Sequence, residues 1–173
     1  MRHLPRPVSS SSYTSASASA IQIDADGQHD LAAVTDFLDQ ARHNPQALVC
    51  GYPVYDQTVP LARLWGRELT NFWVHVNTRS KALKDAMCGF RVYPIAQTLP
   101  VLPSVRTRRM DFDPDIAVRL LWAGVPVINR PVRVTYPKDG ISHFRGFSDN
   151  MRISRLHAGH FCTMLLRRMG LAK

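Results

Sequence analysis

Residues 21–30 read Ile-Gln-Ile-Asp-Ala-Asp-Gly-Gln-His-Asp. Ile21-Gln22-Ile23 alternates as a short strand, and Asp24-Ala25-Asp26-Gly27-Gln28-His29 is the loop into which it runs. Asp30 is placed to N-cap a helix whose apolar positions are Leu31, Val34, Phe37, Leu38 and Ala41. A strand that empties through a polar loop into a helix is a unit of an open α/β sheet, and that loop is where such sheets take ligands. Two carboxylates one residue apart around a glycine bend, followed by Gln28 and His29, offer the ligands that Mg²⁺ or Mn²⁺ takes while bridging a diphosphate. An Asp-x-Asp alone is common by chance, and loop polarity with helix capping also explains it.

The alternation of elements continues downstream. Ala47 to Cys50 is a second buried strand, ended by Gly51. Over 61–76, Leu61, Leu64, Trp65, Leu69, Phe72, Trp73 and Val76 recur at helical spacing, so this stripe is expected against the core. Phe90 to Tyr93 reads as a strand stopped by Pro94. Asp113-Pro114 opens a helix that Gly124 ends, Val132 to Tyr136 alternates as a strand, and 148–169 is helical and basic. The class is therefore α/β. Upstream, residues 9–20 hold seven serines and no large aliphatic residue, so 1–20 is expected to be a disordered leader. The α/β portion is expected over 21–150, with a basic amphipathic helix over 151–173.

A chain of 173 residues, 45% hydrophobic and 20% charged, suffices for one domain with a real core. Its apolar runs are a few residues long, which excludes a membrane-spanning helix of about 20 residues. Cys50, Cys88 and Cys162 form neither a disulfide framework nor a CxxC metal pattern and favour a reducing compartment. The Arg2/Arg6 terminus lacks the apolar core of a secretory signal. The net charge of +9 is concentrated late, where residues 101–173 carry thirteen Lys/Arg against five Asp/Glu. Such a surplus seeks an anionic partner: nucleic acid, an anionic membrane face or a phosphorylated substrate.

Ile23 to Asp30 resembles the metal-binding motif of family 2 glycosyltransferases of the GT-A fold, above all those like dolichyl-phosphate mannose synthase. Asp85-Ala86-Met87-Cys88-Gly89-Phe90-Arg91 is similar to the family's Asp-x-x-(Ser/Cys)-Gly-Phe-Arg block. Phe112-Asp113-Pro114-Asp115 resembles its Phe-Asp-x-Glu block, followed by Trp122-Ala123-Gly124 and a Pro-Val-x-Val-x-Tyr strand at 131–136. Gly140-Ile141-Ser142-His143 falls where the family has a Gly-x-Ser segment near the diphosphate. The string from Tyr136 to Phe144 also resembles a subset found in bacterial clusters for aryl-polyene or xanthomonadin-like pigments.

The resemblance implies a nucleotide-sugar donor, a lipid-linked or hydrophobic acceptor, and Mg²⁺ or Mn²⁺. It implies peripheral contact with an anionic membrane at the cytoplasmic face and no nucleic acid. Asp24 takes the place of the aspartate that contacts the nucleotide sugar. Asp26 and Gln28 take those of the metal ligands, with His143 beside them. Asp113 stands where a general base deprotonates a hydroxyl acceptor, with Asp115 as the alternative; a phosphate acceptor, already an anion, needs no strong base. Asp85 and Ser142 fall in substrate-binding blocks, and Arg91, Lys138 and Arg145, with His143, are placed to hold phosphate oxygens. Bland readings stand beside these: Asp85 pairing with Arg91 or capping a turn, Cys88 as a small buried residue, and His157 and His160 as solvated or phosphate-facing.

Two departures keep the function open. Relatives carry a much longer stretch before the metal motif, forming the first βαβ units that hold the base and ribose, whereas 23 residues precede Asp24 here. Gly51-Tyr52 stands where relatives commonly have an arginine. The expectation is thus a GT-A domain lacking its first βαβ units, with a donor pocket open on one side. Three readings follow: a glycosyltransferase, a non-catalytic remnant of one, or a small basic nucleic-acid-binding protein without a recognisable nucleic-acid motif.

Overall fold

The computed structural model describes residues 18–55, 59, 61–135 and 146–171. Along the chain come β1 (Ser19–Gln22), a 3₁₀ turn (Leu31–Ala33) leading into α1 (Val34–His43), β2 (Leu48–Tyr55) and α2 (Leu61–Thr78). These are followed by β3 (Arg91–Pro94), α3 (Ile95–Thr98), a second 3₁₀ turn (Leu102–Ser104), α4 (Phe112–Trp122), β4 (Val127–Val134) and α5 (Gly146–Arg168). The α/β class is as expected. β1 begins at Ser19, inside the stretch read as leader, and α5 runs across the limit drawn at 150.

The strands form one mixed sheet in the order β1-β3-β2-β4, with β3 antiparallel to both neighbours and β2 parallel to β4. Successive side chains alternate between its faces. Leu48 and Cys50 of β2 and Tyr93 of β3 join Val74 of α2 and Ile116, Ala117 and Leu120 of α4 in one buried cluster. Val49 and Val92, one residue out of step, join Phe37 and Ala41 of α1, Phe90 and Val132 on the opposite face. Helices therefore cover both faces, and α5 packs on α2 and reaches α4.

Two strands are longer than the sequence suggests, and both continue through a proline. β2 runs past Gly51 to Tyr55 because β4 pairs with it over eight residues, Leu48↔Val127 to Tyr55↔Val134. β3 flanks β2 only at Val49 and Cys50, so Pro53 stands where β2 has no partner on that side. Pro131 sits on β4, an edge strand. At both places the missing N–H deprives no neighbour of a hydrogen bond.

The stripe on α2 is a correction. Trp65, Leu69 and Phe72 are 77%, 60% and 56% exposed, while Thr70, Asn71, Val74 and Asn77 face inward. The inward polar atoms are used: Asn71 Oδ1 accepts from Ala86 N at 2.9 Å, and Asn77 Nδ2 donates to the His157 carbonyl at 3.3 Å. Loop and helix groups that need hydrogen bonds thus claim the face that apolar spacing had assigned to the exterior. His157 and His160 are a second correction: both are buried, at 4% and 3% exposure. His157 stacks on Trp73, and His160 Nε2 lies 2.9 Å from Asp115 Oδ1.

Candidate functional site

The loop after β1 is stapled at its far end. Asp26 Oδ1 accepts from Gln28 N at 3.0 Å across the bend at Gly27, whose φ of +71° suits glycine. Gln28 O accepts from Thr135 N at 3.0 Å, and Asp30 N donates to Arg133 O at 3.1 Å, so β4 holds this segment. Asp30 caps Ala32 N at 2.9 Å, as its position predicts. Ahead of these anchors, Asp24 and Asp26 remain exposed.

Asp24 lies directly on the backbone of Gly89. A Cβ at residue 89 would overlap Cγ and both oxygens of the Asp24 carboxylate, so only glycine permits this approach. His29, its side chain nearly buried, sets Nε2 3.6 Å from Asp24 Oδ2 and rests its ring edge on Phe90. His29 Nδ1 is buried without a protein partner.

A second carboxylate comes from the first turn of α4, where a negative charge suits the helix dipole. Gln22 Nε2 donates to Asp113 Oδ1 at 2.9 Å, and Tyr93 Oη donates to Gln22 Oε1 at 3.0 Å. The tyrosine fixes which end of the amide faces the carboxylate. β1, β3 and α4 thus converge, and Gln22 stands opposite Arg91 in the β1–β3 register.

Several expected residues are placed differently from their expected roles. Arg91 is wholly buried; its Nε, Nη1 and Nη2 donate to the carbonyls of Cys88, Asp113 and Ala86 at 2.9, 2.8 and 2.7 Å. Burial opposes its charge, yet Tyr93 and Asp113 beside it raise its pKa above the ordinary value. It braces the start of α4 and offers no surface to a phosphate. Asp85 is buried and pairs with Arg67 at 2.7 Å, not with Arg91; the same oxygen caps the turn at Met87 N and Cys88 N. Asp115, the alternative base, is buried against His160, Arg119 and Thr107. Burial raises its pKa, but hydrogen bonds from these three groups outweigh that and hold it at about 2. A carboxylate so satisfied is a poor proton acceptor and a good strut. Burial pushes the Cys88 thiol up to about 11, which keeps it protonated and unreactive. Lys138, Ser142, His143 and Arg145 lie outside the described residues.

Among the described residues no three His, Cys, Asp or Glu side chains form a ready-made metal cluster. Asp24 and Asp26 nonetheless fit a Mg²⁺ or Mn²⁺ ion completed by substrate, because such ions commonly use one or two carboxylates and take other ligands from water and phosphates. Gln28 is half-buried beside them. The sequence gives no separate role to Gln22, Gly89 or Tyr93, and it places His29 among the loop ligands, where the structure sets it behind Asp24. Gly89 was visible within the Cys-Gly-Phe-Arg block; Gln22 and Tyr93 show only as polar groups in short strands.

Fold and site together define an α/β protein with exposed Asp24 and Asp26 and part-buried Asp113 gathered at one end of its sheet. The chain is similar to a dolichyl-phosphate beta-glucosyltransferase of Dictyostelium discoideum, 22% identical over 143 residues. The matched part is 78% of this chain and 43% of the relative, so the chain spans less than half of that protein's length. The mixed four-stranded sheet is consistent with part of a GT-A, Rossmann-like fold. No family model and no solved structure matches the chain.

Proposed function

We propose that this chain carries the cation- and diphosphate-holding part of a family 2 glycosyltransferase site, one that moves a sugar from a nucleotide donor to a lipid-linked acceptor. The observation that carries this reading is the Asp24 carboxylate seated on Gly89, beside an exposed Asp26 and at the same sheet end as Asp113. The similarity to a dolichyl-phosphate beta-glucosyltransferase supports the reaction class and the kind of acceptor. Asp24 and Asp26, with Gln28, would hold the Mg²⁺ or Mn²⁺ ion, which supplies neutralisation of the charge developing on the departing diphosphate.

The chain's own residues supply position. Gly89 and His29 fix Asp24, and Gln22, Tyr93 and Arg91 fix Asp113. With a hydroxyl acceptor, the Asp113 carboxylate takes the proton as the oxygen attacks the sugar carbon. With a phosphate acceptor, already an anion, there is no such proton and no base is required of Asp113. The experiment is equilibrium binding of a panel of nucleoside diphosphates with Mn²⁺. Binding that depends on Mn²⁺ and is lost in Asp26→Ala supports the reading; identical behaviour of the variant and the natural chain contradicts it.

A further inference from the structure

A phosphate brought to Asp113 meets a carboxylate, so that side of the site needs cations to outweigh the repulsion. Arg91 does not offer its charge to a ligand. It is wholly buried, its donors are spent on carbonyls, and its Nη1 lies 3.7 Å from Asp113 Oδ1. Free cations stand instead on the segment that leads into α4. Arg106, Arg108 and Arg109 are all exposed and take part in no ion pair among the described residues. Asp111 is the only acid between Val101 and Phe112, and it is buried with its Oδ1 accepting from Arg109 N at 3.2 Å.

The segment is anchored at both ends and in its middle. Val105 and Phe112, which flank the arginines, pack on the buried cluster shared by α2 and α4. Thr107 Oγ1 donates to Asp115 Oδ2 at 2.9 Å, and Phe112 N donates to Arg109 O at 2.8 Å. Thr107 is thus turned inward onto a buried carboxylate, which leaves its neighbours Arg106 and Arg108 on the outer side. The turn closed by Phe112 N sets Arg109 against the start of α4, whose first turn carries Asp113. Unpaired like charges held this close together raise a local positive potential. A phosphate relieves it, and guanidinium forks match phosphate oxygens in pairs.

We propose that Arg106, Arg108 and Arg109 form a phosphate-binding loop beside Asp113, which selects a phosphate-monoester acceptor over a neutral alcohol. The inference rests on the reading above for Asp113 as the acceptor side of the site, and it decides between the two acceptor chemistries left open there. Thr107 and Asp115 are positioning residues: they hold the arginines outward and touch no substrate.

Equilibrium binding of geranyl phosphate, geraniol and inorganic phosphate to the full chain at low salt tests it, with Mn²⁺-dependent nucleoside-diphosphate binding measured in parallel. The natural chain is expected to prefer geranyl phosphate to both other probes. Arg106→Gln, Arg108→Gln and Arg109→Gln are each expected to weaken that binding about fivefold, and the triple variant about a hundredfold. Thr107→Val, which keeps every arginine, is expected to weaken it about threefold, and Thr107→Ser, which keeps the hydroxyl, to restore it. Nucleoside-diphosphate binding is expected to be unchanged in all of them. The arginine side chains lie outside the core, and a circular dichroism melt checks that the fold persists. A triple variant that binds geranyl phosphate like the natural chain, no binding of it by either, or equal binding of geraniol overturns the proposal. So does a triple variant that loses nucleoside-diphosphate binding instead, which would assign the arginines to the donor. Inorganic phosphate binding as tightly as geranyl phosphate would show an adventitious ion only and overturn it as well. Arginine-dependent binding of geranyl phosphate by a chain that binds no nucleoside diphosphate would count against the Asp24 site and not against this loop.

Discussion

Replacing Gly89 with alanine separates a packing role from a functional one. The added methyl would coincide with the Asp24 carboxylate, which must then move by more than about 1 Å to restore ordinary contact. Asp24 is on an exposed loop and can swing toward solvent, so the fold loses little. Its contact with His29, at 3.6 Å and half-exposed on the aspartate side, contributes at most about 1 kcal/mol. Gly89 does not have a positive φ, so the reduced freedom of the unfolded alanine chain returns about 0.4–1 kcal/mol. The two terms nearly cancel, and the melting temperature should move by only a few degrees. Cation binding is far less forgiving, since misplacing a ligand's support typically costs about 10- to 100-fold. Calorimetric titration of Mn²⁺ in the presence of a nucleoside diphosphate should show that loss in Gly89→Ala. In an Asp24→Ala background the Gly89→Ala change should cost almost nothing further, because the carboxylate it displaces is gone. Unchanged affinity in the single variant, or a large fall in melting temperature with normal affinity in the folded fraction, would refute the seat as a functional device.

Asp113→Asn should lower sugar transfer to a hydroxyl acceptor by about 10²–10⁴-fold while changing transfer to a polyprenyl phosphate by less than about tenfold, which parallel assays with both acceptors would read. Gly51→Ala should destabilise the sheet by about 1–3 kcal/mol, because its Cβ would meet Cys88 Sγ and Phe90 O at 2.9 Å and Val132 Cγ2 at 3.1 Å; urea denaturation measures it. Acid should loosen α5. Burial, then the charge of His160, lowers the His157 pKa from 6.5 to about 4, so the folded state resists a proton that the unfolded chain accepts. Stability present above pH 6.5 is therefore lost as pH falls toward about 4, and Asp115, held at about 2, extends the loss below that. Thermal melts across this range should flatten between pH 6.5 and 4 in His157→Gln while keeping the drop below pH 4.

The parts of the fold that were legible were those governed by local chemistry. Asp30 caps its helical turn, Gly124 ends α4 with a φ of +78°, and the apolar alternation at Val49 and Cys50 sorts side chains to opposite faces. What was missed depends on neighbours distant in sequence. β2 continues through Gly51 and Pro53 because β4 runs beside it, which residues 47–55 alone do not reveal. The orientation of α2 was inverted because helical spacing identifies an apolar stripe but not whether a polar stripe has buried partners; Asn71 and Asn77 do. The site was readable as a set of residue types around Asp24 and Asp113. Its division of labour was not: Arg91 and Asp115 carry charges suited to catalysis and spend them on carbonyls, Arg119 and His160 inside the protein. Gln22 and Tyr93, without charge at neutral pH, hold the carboxylate that stays accessible.

The central claim is that Asp24 and Asp26 form a cation site completed by a diphosphate. Anomalous scattering from crystals of the protein grown with Mn²⁺ and a nucleoside diphosphate tests it most directly. The account predicts one Mn²⁺ peak within about 2.0–2.6 Å of an Asp26 carboxylate oxygen, with diphosphate oxygens completing the shell, and no peak there when the nucleotide is left out. A peak away from the loop after β1, or full occupancy at that loop without the diphosphate, would contradict it.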